Sequence, residues 1–199
     1  MGTKPDFYIS IDEAGNPNDG KPFVISAVLI EDLDSFLKAY DISLMEAKML
    51  MERSIKYFKW SEDSPKPFKL GKNVKGIFVD KVLSSLRGIS IIVDNKGEKM
   101  SEYSTFLYGK IPGLKLREYV RGRKIFMYYD RSPILRGADR ELIRINFPKW
   151  TLATIVGIDF TGHDRSKLIH PADYVSGIVR EFITKDEFKR EYRQFLQTY

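Results

Sequence analysis

Apolar residues recur along the chain with a spacing that changes from one stretch to the next, and the changes mark out its elements. Phe7, Ile9 and Ile11 alternate with Tyr8, Ser10 and Asp12, the two-residue period of a strand over 6–12 that ends on Asp12. Asn16-Pro17-Asn18-Asp19-Gly20 then carries turn chemistry. Phe23 to Ile30 is apolar at both parities, so it reads as a second strand, and the pair is expected to form a hairpin. Leu33, Phe36, Leu37, Tyr40, Leu44, Ala47, Met51 and Ile55 keep helical spacing and predict a long helix over 32–57. An ordered loop is expected over 60–73, then a helix over 74–86 and a third strand over 89–93.

The second half alternates helix and strand. Helical stretches are predicted at 101–108 and 114–121, broken at Pro112-Gly113. Ile125 to Tyr129 is apolar without alternation and predicts a central strand buried on both faces, ending at Asp130. A helix over 135–147, a strand over 152–158 and a helix over 168–183 follow. Leu168, Ala172, Val175, Val179 and Phe182 form the apolar stripe of that helix, and a short polar helix closes the chain. A leading hairpin with later helix-linked strands predicts an α/β fold: one domain over 1–199, a mixed five-stranded sheet flanked by helices, with an extra helix and loop inserted at about 32–87.

Composition narrows the chemistry. Hydrophobic residues make up 43% of the 199, enough for a substantial core. There is no cysteine, which excludes disulfides and thiolate metal sites and is in keeping with a reducing cytoplasm. No stretch reaches the ~20 apolar residues of a membrane span, and MGTKPDFYIS lacks the layout of a signal peptide. The net charge of +6 favours polyanions such as nucleic acid. Lys59, Lys66, Lys69, Lys72 and Lys75 interleave with Phe58, Trp60 and Phe68, an arrangement in which lysines meet phosphates and aromatics stack on bases. A solvated loop anchored by buried aromatics gives the same pattern. Arg117, Arg121, Arg123 and Lys124 form a second basic run.

Three aspartates stand where an open α/β sheet gathers functional groups: Asp12 and Asp130 at strand ends, and Asp173 in the first turns of the last long helix. Each also has a local explanation, as turn former for Asp12 and Asp130, and as partner of the helix dipole for Asp173. If the first and fourth strands are neighbours, the three meet. Two carboxylates ~4 Å apart repel by ~4 kcal/mol at an effective dielectric of ~20, so such a cluster needs protons or a cation. Oxygen ligands select Mg²⁺ or Mn²⁺, and such ions suit phosphodiester hydrolysis. Gly177, one turn beyond Asp173, permits a close approach of its helix to the strands. No Walker loop, dinucleotide glycine fingerprint or histidine metalloprotease motif occurs.

Tyr8-Ile9-Ser10-Ile11-Asp12-Glu13-Ala14-Gly15-Asn16 resembles the opening of the domain-of-unknown-function 3800 family, an apolar strand followed by Asp-Glu-Ser-Gly. Phe58-Lys59-Trp60-Ser61 resembles its mid-chain Lys-Trp element, and Ala172-Asp173-Tyr174-Val175-Ser176-Gly177 its closing element. The resemblance spans essentially the whole chain. It implies an RNase H-like fold, a metal site of Asp12, Asp130 and Asp173, with Glu13 at its rim or capping the turn, and, by analogy, a nuclease; the interleaved lysines and aromatics make Lys59, Trp60, Lys69 and Lys72 the candidates for nucleic-acid contact. Two positions depart from the family. Tyr57 stands where a carboxylate is frequent, with Glu62, Asp63 or Asp164 as possible substitutes, and His170-Pro171 replaces a glutamine-bearing segment. His170 is thereby an accessory candidate as proton carrier, ahead of His163, and Asp164 an accessory metal ligand. Three functions stay open: a metal-dependent nuclease, a non-catalytic nucleic-acid-binding or assembly module, and a small-molecule phosphoesterase.

Overall fold

The structure is a computed structural model that describes residues 4–16, 21–50, 55–63, 73–93 and 102–184. Five strands form one sheet: β1 (Phe7–Ala14), β2 (Phe23–Ile30), β3 (Arg87–Val93), β4 (Lys124–Asp130) and β5 (Thr154–Thr161), in the order β3-β2-β1-β4-β5. β1 pairs antiparallel with β2 and β2 with β3, while β4 runs parallel to both β1 and β5. The predicted mixed sheet is therefore present, with the hairpin opening it. Among the described residues five α-helices accompany it: α1 (Leu33–Leu50), α2 (Val74–Lys81), α3 (Ile111–Val120), α4 (Gly137–Thr151) and α5 (His170–Thr184). Among the described residues no helix is long and apolar enough to cross a membrane.

The sheet separates two cores. Val24, Val28 and Ile30 join α1, α2 and α5 on one face, while Phe23, Ile25, Ala27 and Leu29 join α3 and α4 on the other. β2 is thus buried at every position, as its unbroken apolar run predicts. β1 shows the opposite economy. Ile9 and Ile11 face the α3–α4 side, so Ser10 and Asp12 face α5, where the Ser10 hydroxyl donates to the Ile169 carbonyl at 3.1 Å.

Several expectations need correction. β4 alternates: Ile125, Met127 and Tyr129 are buried, whereas Phe126 and Tyr128 are half-buried and pack on each other. α5 lies over β1 and β2, which leaves that face of β4 partly open. The predicted break at Pro112-Gly113 is absent. A π-helical turn over Phe106–Lys110 runs straight into α3, so Pro112 lies inside one continuous helical stretch, directly after the widened turn. Gly113 is needed there because a side chain would meet the Trp150 Cβ at 2.9 Å. Residues 55–57 are not helical, although Ile55 keeps helical spacing with α1. Ile55, Phe58 and Trp60 instead anchor a buried loop, and the Phe58 amide donates to the Tyr40 hydroxyl at 3.3 Å. The fifth strand begins later than predicted, because Leu152 takes a left-handed φ of 55° and ends α4. Phe182 is 40% exposed and leaves the α5 stripe. The closing polar helix, Lys66, Phe68, Lys69 and Lys72 lie outside the described residues.

Candidate metal centre

The parallel register of β1 and β4 sets the site. Ile11 pairs with Tyr129, so Asp12 and Asp130, each one residue further, stand level where that pairing stops: Asp130 ends β4, while β1, predicted to end at Asp12, runs on to Ala14 against β2. By the two-residue period both point to the α5 side. Asp12 is 3% exposed. Its Oδ1 accepts from the Glu13 amide at 2.7 Å, while its Oδ2 is buried without a hydrogen-bond partner. Burial raises the Asp12 carboxyl well above its ordinary range; His163 opposes the rise, and Asp173, Glu13 and Asp130 add to it.

His163 completes the centre. β5 pairs Thr161 with Asp130, so the residues that follow turn back beside Asp130. His163 Nε2 lies 3.4 Å from Asp12 Oδ2 and 3.3 Å from Asp130 Oδ2. Burial opposes its positive charge, yet the two carboxylates outweigh this and push the imidazole up to about 10. Its Nδ1 is buried without a hydrogen-bond partner. Among the described residues, Asp12, Asp130 and His163 are the group whose metal-ligating atoms all lie within 4.8 Å of one another.

The ring of His163 is held by His170 rather than by a hydrogen bond of its own. The two imidazoles stack with centres 5.5 Å apart and planes 7° from parallel. His170 Nε2 stands 2.9 Å from the His163 carbonyl, and Nδ1 2.6 Å from the Tyr40 hydroxyl. A carbonyl only accepts, so Nε2 carries the proton and Tyr40 donates to Nδ1. Burial pulls His170 down to about 4, which keeps it neutral. With both nitrogens engaged, His170 orients His163 and is not placed to exchange protons with the cavity. Tyr57 stacks on His170 at 5.6 Å, so the residue standing where the 3800 family often has a carboxylate supports the same column.

Asp173 lines the same cavity from α5, outside that tight group. Its Oδ2 accepts from the Trp60 amide at 2.7 Å. Burial raises its carboxyl, while His163, the Trp60 amide and Lys59 pull it back. Glu13 projects to the opposite strand face, toward Tyr108 and Ser132. Burial pushes it up to about 7 against hydrogen bonds from Ser132 and Tyr108. None of the proposed substitutes for a fourth acid reaches the centre. Glu62 is exposed and pairs with Lys59, Asp63 is tied to Tyr174 and the Lys59 amide, and Asp164 is exposed outside the cavity lining.

The cavity measures about 530 Å³. Above the acidic floor it is lined by Lys59, Lys75, Arg131 and Arg180. Trp60 is 7% exposed, with the Lys75 ammonium 3.5 Å above its ring centre, so the open face that base stacking needs is covered. Gly177 also packs against it: a side chain there would stand 2.1 Å from Trp60 Cδ1. His163 is the functional candidate ranked too low from sequence. Its one signal there was that it is one of two histidines, just after a strand.

No family model and no curated protein matches the chain. Solved structures do. A chain of the PCNA:RNase HII complex from Archaeoglobus fulgidus aligns with a TM-score of 0.53 at 16% identity, over 96% of this chain and 87% of that one. Ribonuclease H2 from Pyrococcus horikoshii OT3 aligns with a TM-score of 0.54 at 17% identity, over 94% of this chain and 80% of that one. The fold is RNase H-like.

Proposed function

We propose that this chain is a divalent-metal-dependent nuclease that hydrolyses phosphodiester bonds in nucleic acid. The observation that carries the reading is Asp12 Oδ2, a buried carboxylate oxygen without a hydrogen-bond partner, beside Asp130 and His163. A buried anion left in that state is costly unless a cation joins it, and this donor set fits a divalent ion. Asp12, Asp130 and His163 hold the ion. Asp173 flanks it, fixed by Trp60, while Glu13 lines the cavity rim from the other strand face with its carboxyl pushed up to about 7. A bound divalent ion supplies activation of water and stabilisation of the departing oxygen. Lys59, Lys75, Arg131 and Arg180 line the same cavity and give phosphates a positive wall. The motif resemblance to the domain-of-unknown-function 3800 family and the RNase H-like fold, which it shares with ribonuclease H2, support the same reading.

The test incubates purified protein with labelled DNA, RNA and their hybrid in Mg²⁺, Mn²⁺ or EDTA. The reading requires cleavage that needs metal and is lost in Asp12→Asn. Cleavage that survives Asp12→Asn removes this site from the reaction, and hydrolysis confined to small phosphate esters makes the chain a phosphoesterase.

One observation favours a second reading. The His163 imidazolium is itself a cation between two carboxylates, and it offsets one of their two negative charges with no ion present. On that reading the chain binds nucleic acid without cutting it. Salt-dependent binding with no turnover in any metal identifies that case.

A further inference from the structure

We propose that the ion held by Asp12, Asp130 and His163 is a first-row transition-metal ion, bound through the His163 imidazole nitrogen in preference to an all-oxygen Mg²⁺ site. The inference rests on reading the cavity as a metal site and goes beyond it in naming the ion class and the nitrogen ligand.

Charge-assisted N–H···O bonds run at ~2.7–2.9 Å. The two separations from His163 Nε2 are longer, 3.4 and 3.3 Å, and Asp12 Oδ2 has no hydrogen-bond partner. Two ligands each ~2.1 Å from one ion stand ~3.4 Å apart at a tetrahedral angle and ~3.0 Å at a right angle. The observed spacings fall in the range expected along an edge of such a coordination shell. Nε2 approaches both carboxylates, so ion and imidazolium compete for the same pair of oxygens.

The ring is also prepared for this task. Metal-binding imidazoles usually take their orientation from a hydrogen bond at the other nitrogen. His163 takes it from the stack on His170 and from the His170 bond to its own carbonyl. His170 is fixed in turn by Tyr40. A buried column of aromatic rings thus aims one nitrogen at two carboxylates. Imidazole suits Fe²⁺, Co²⁺ or Zn²⁺ best and Mn²⁺ less strongly, whereas Mg²⁺ demands hard oxygen ligands.

The probe is Mn²⁺ bound to untagged full-length protein, read by electron spin-echo envelope modulation for coupling to nitrogen-14, with Mg²⁺ as competitor. The chain has two histidines, and both nitrogens of His170 are engaged, so one nitrogen coupling is expected. It disappears in His163→Gln with a loss of at least about tenfold in Mn²⁺ affinity. In His163→Asp, which restores an all-oxygen set, the preference for Mn²⁺ over Mg²⁺ falls by roughly tenfold. Circular dichroism of each variant confirms that it is folded. Mn²⁺ bound without nitrogen coupling, or a Mn²⁺ preference unchanged in both variants, overturns the proposal. Nuclease assays are read separately. Nitrogen-coupled Mn²⁺ without cleavage removes the nuclease reading alone, and Mg²⁺-driven cleavage without nitrogen coupling removes this inference alone.

Discussion

The backbone amide of Trp60 donates to Oδ2 of Asp173 at 2.7 Å, across 113 positions of the chain. The bond ties the mid-chain loop to α5, and Gly177 makes it possible by leaving room for the indole ring. A methyl group at Gly177 would stand 2.1 Å from Trp60 Cδ1, and the contact is with the body of a buried indole rather than the end of a flexible side chain. Gly177→Ala is expected to lower stability by ~1–3 kcal/mol through overpacking. Urea unfolding checks this, with the midpoint falling at an unchanged slope.

Asp63 gives the fold a pH signature. Burial pushes its carboxyl from 3.8 to about 6, against hydrogen bonds from Tyr174 and the Lys59 amide. Between those two values the folded protein keeps a proton that the unfolded chain has released. Stability from this group is therefore present below pH 3.8 and lost as pH rises through 6, by ~3 kcal/mol in all. Asp63→Asn removes the effect while keeping an oxygen acceptor. The stability of wild type relative to this variant is expected to fall between pH 4 and pH 7 in urea titrations, and a constant difference contradicts the assignment.

Metal removal separates Asp12 from a structural role. An ion at 100 times its dissociation constant adds ~2.7 kcal/mol of stability, which EDTA takes away. Asp12→Asn is expected to show no such difference in thermal unfolding with and without Mn²⁺. Without metal the variant is expected to be no less stable than wild type, since an amide oxygen still accepts from Glu13 and a costly buried charge is gone.

Much of this arrangement was legible in the sequence. The apolar run of β4 placed Asp130 at its strand end, the two-residue period of β1 put Asp12 near the end of a strand that runs on to Ala14, and turn chemistry between β1 and β2 indicated the hairpin. What stayed hidden depends on pairing between distant segments. His163 reaches Asp130 because β5 lies against β4, and it is held by His170, whose partner Tyr40 is 130 residues away. Spacing also misled where one pattern serves two structures. Ile55 continues the helical stripe of α1, yet it anchors the loop that presents Trp60. Trp60 itself reads as a stacking platform beside lysines, whereas Lys75 covers its face.

The positive wall of the cavity is open to a direct test. Lys59 lines it, with its side chain 31% exposed and paired with Glu62. If Lys59 neutralises one phosphate, Lys59→Gln lowers the slope of log binding constant against log salt by ~0.7–0.9. Lys38→Gln, on the exposed side of α1, is expected to leave the slope unchanged. Fluorescence anisotropy with a labelled oligonucleotide at several salt concentrations measures both.

The central claim is that Asp12, Asp130 and His163 share one ion. Anomalous diffraction from crystals grown with excess Mn²⁺ tests it most directly. The account predicts a peak bounded by Asp12 Oδ2, Asp130 Oδ2 and His163 Nε2, at ~2.0–2.2 Å from each. A crystal in which that place stays dark while the imidazole keeps its two carboxylates, with Mn²⁺ bound elsewhere or not at all, contradicts it.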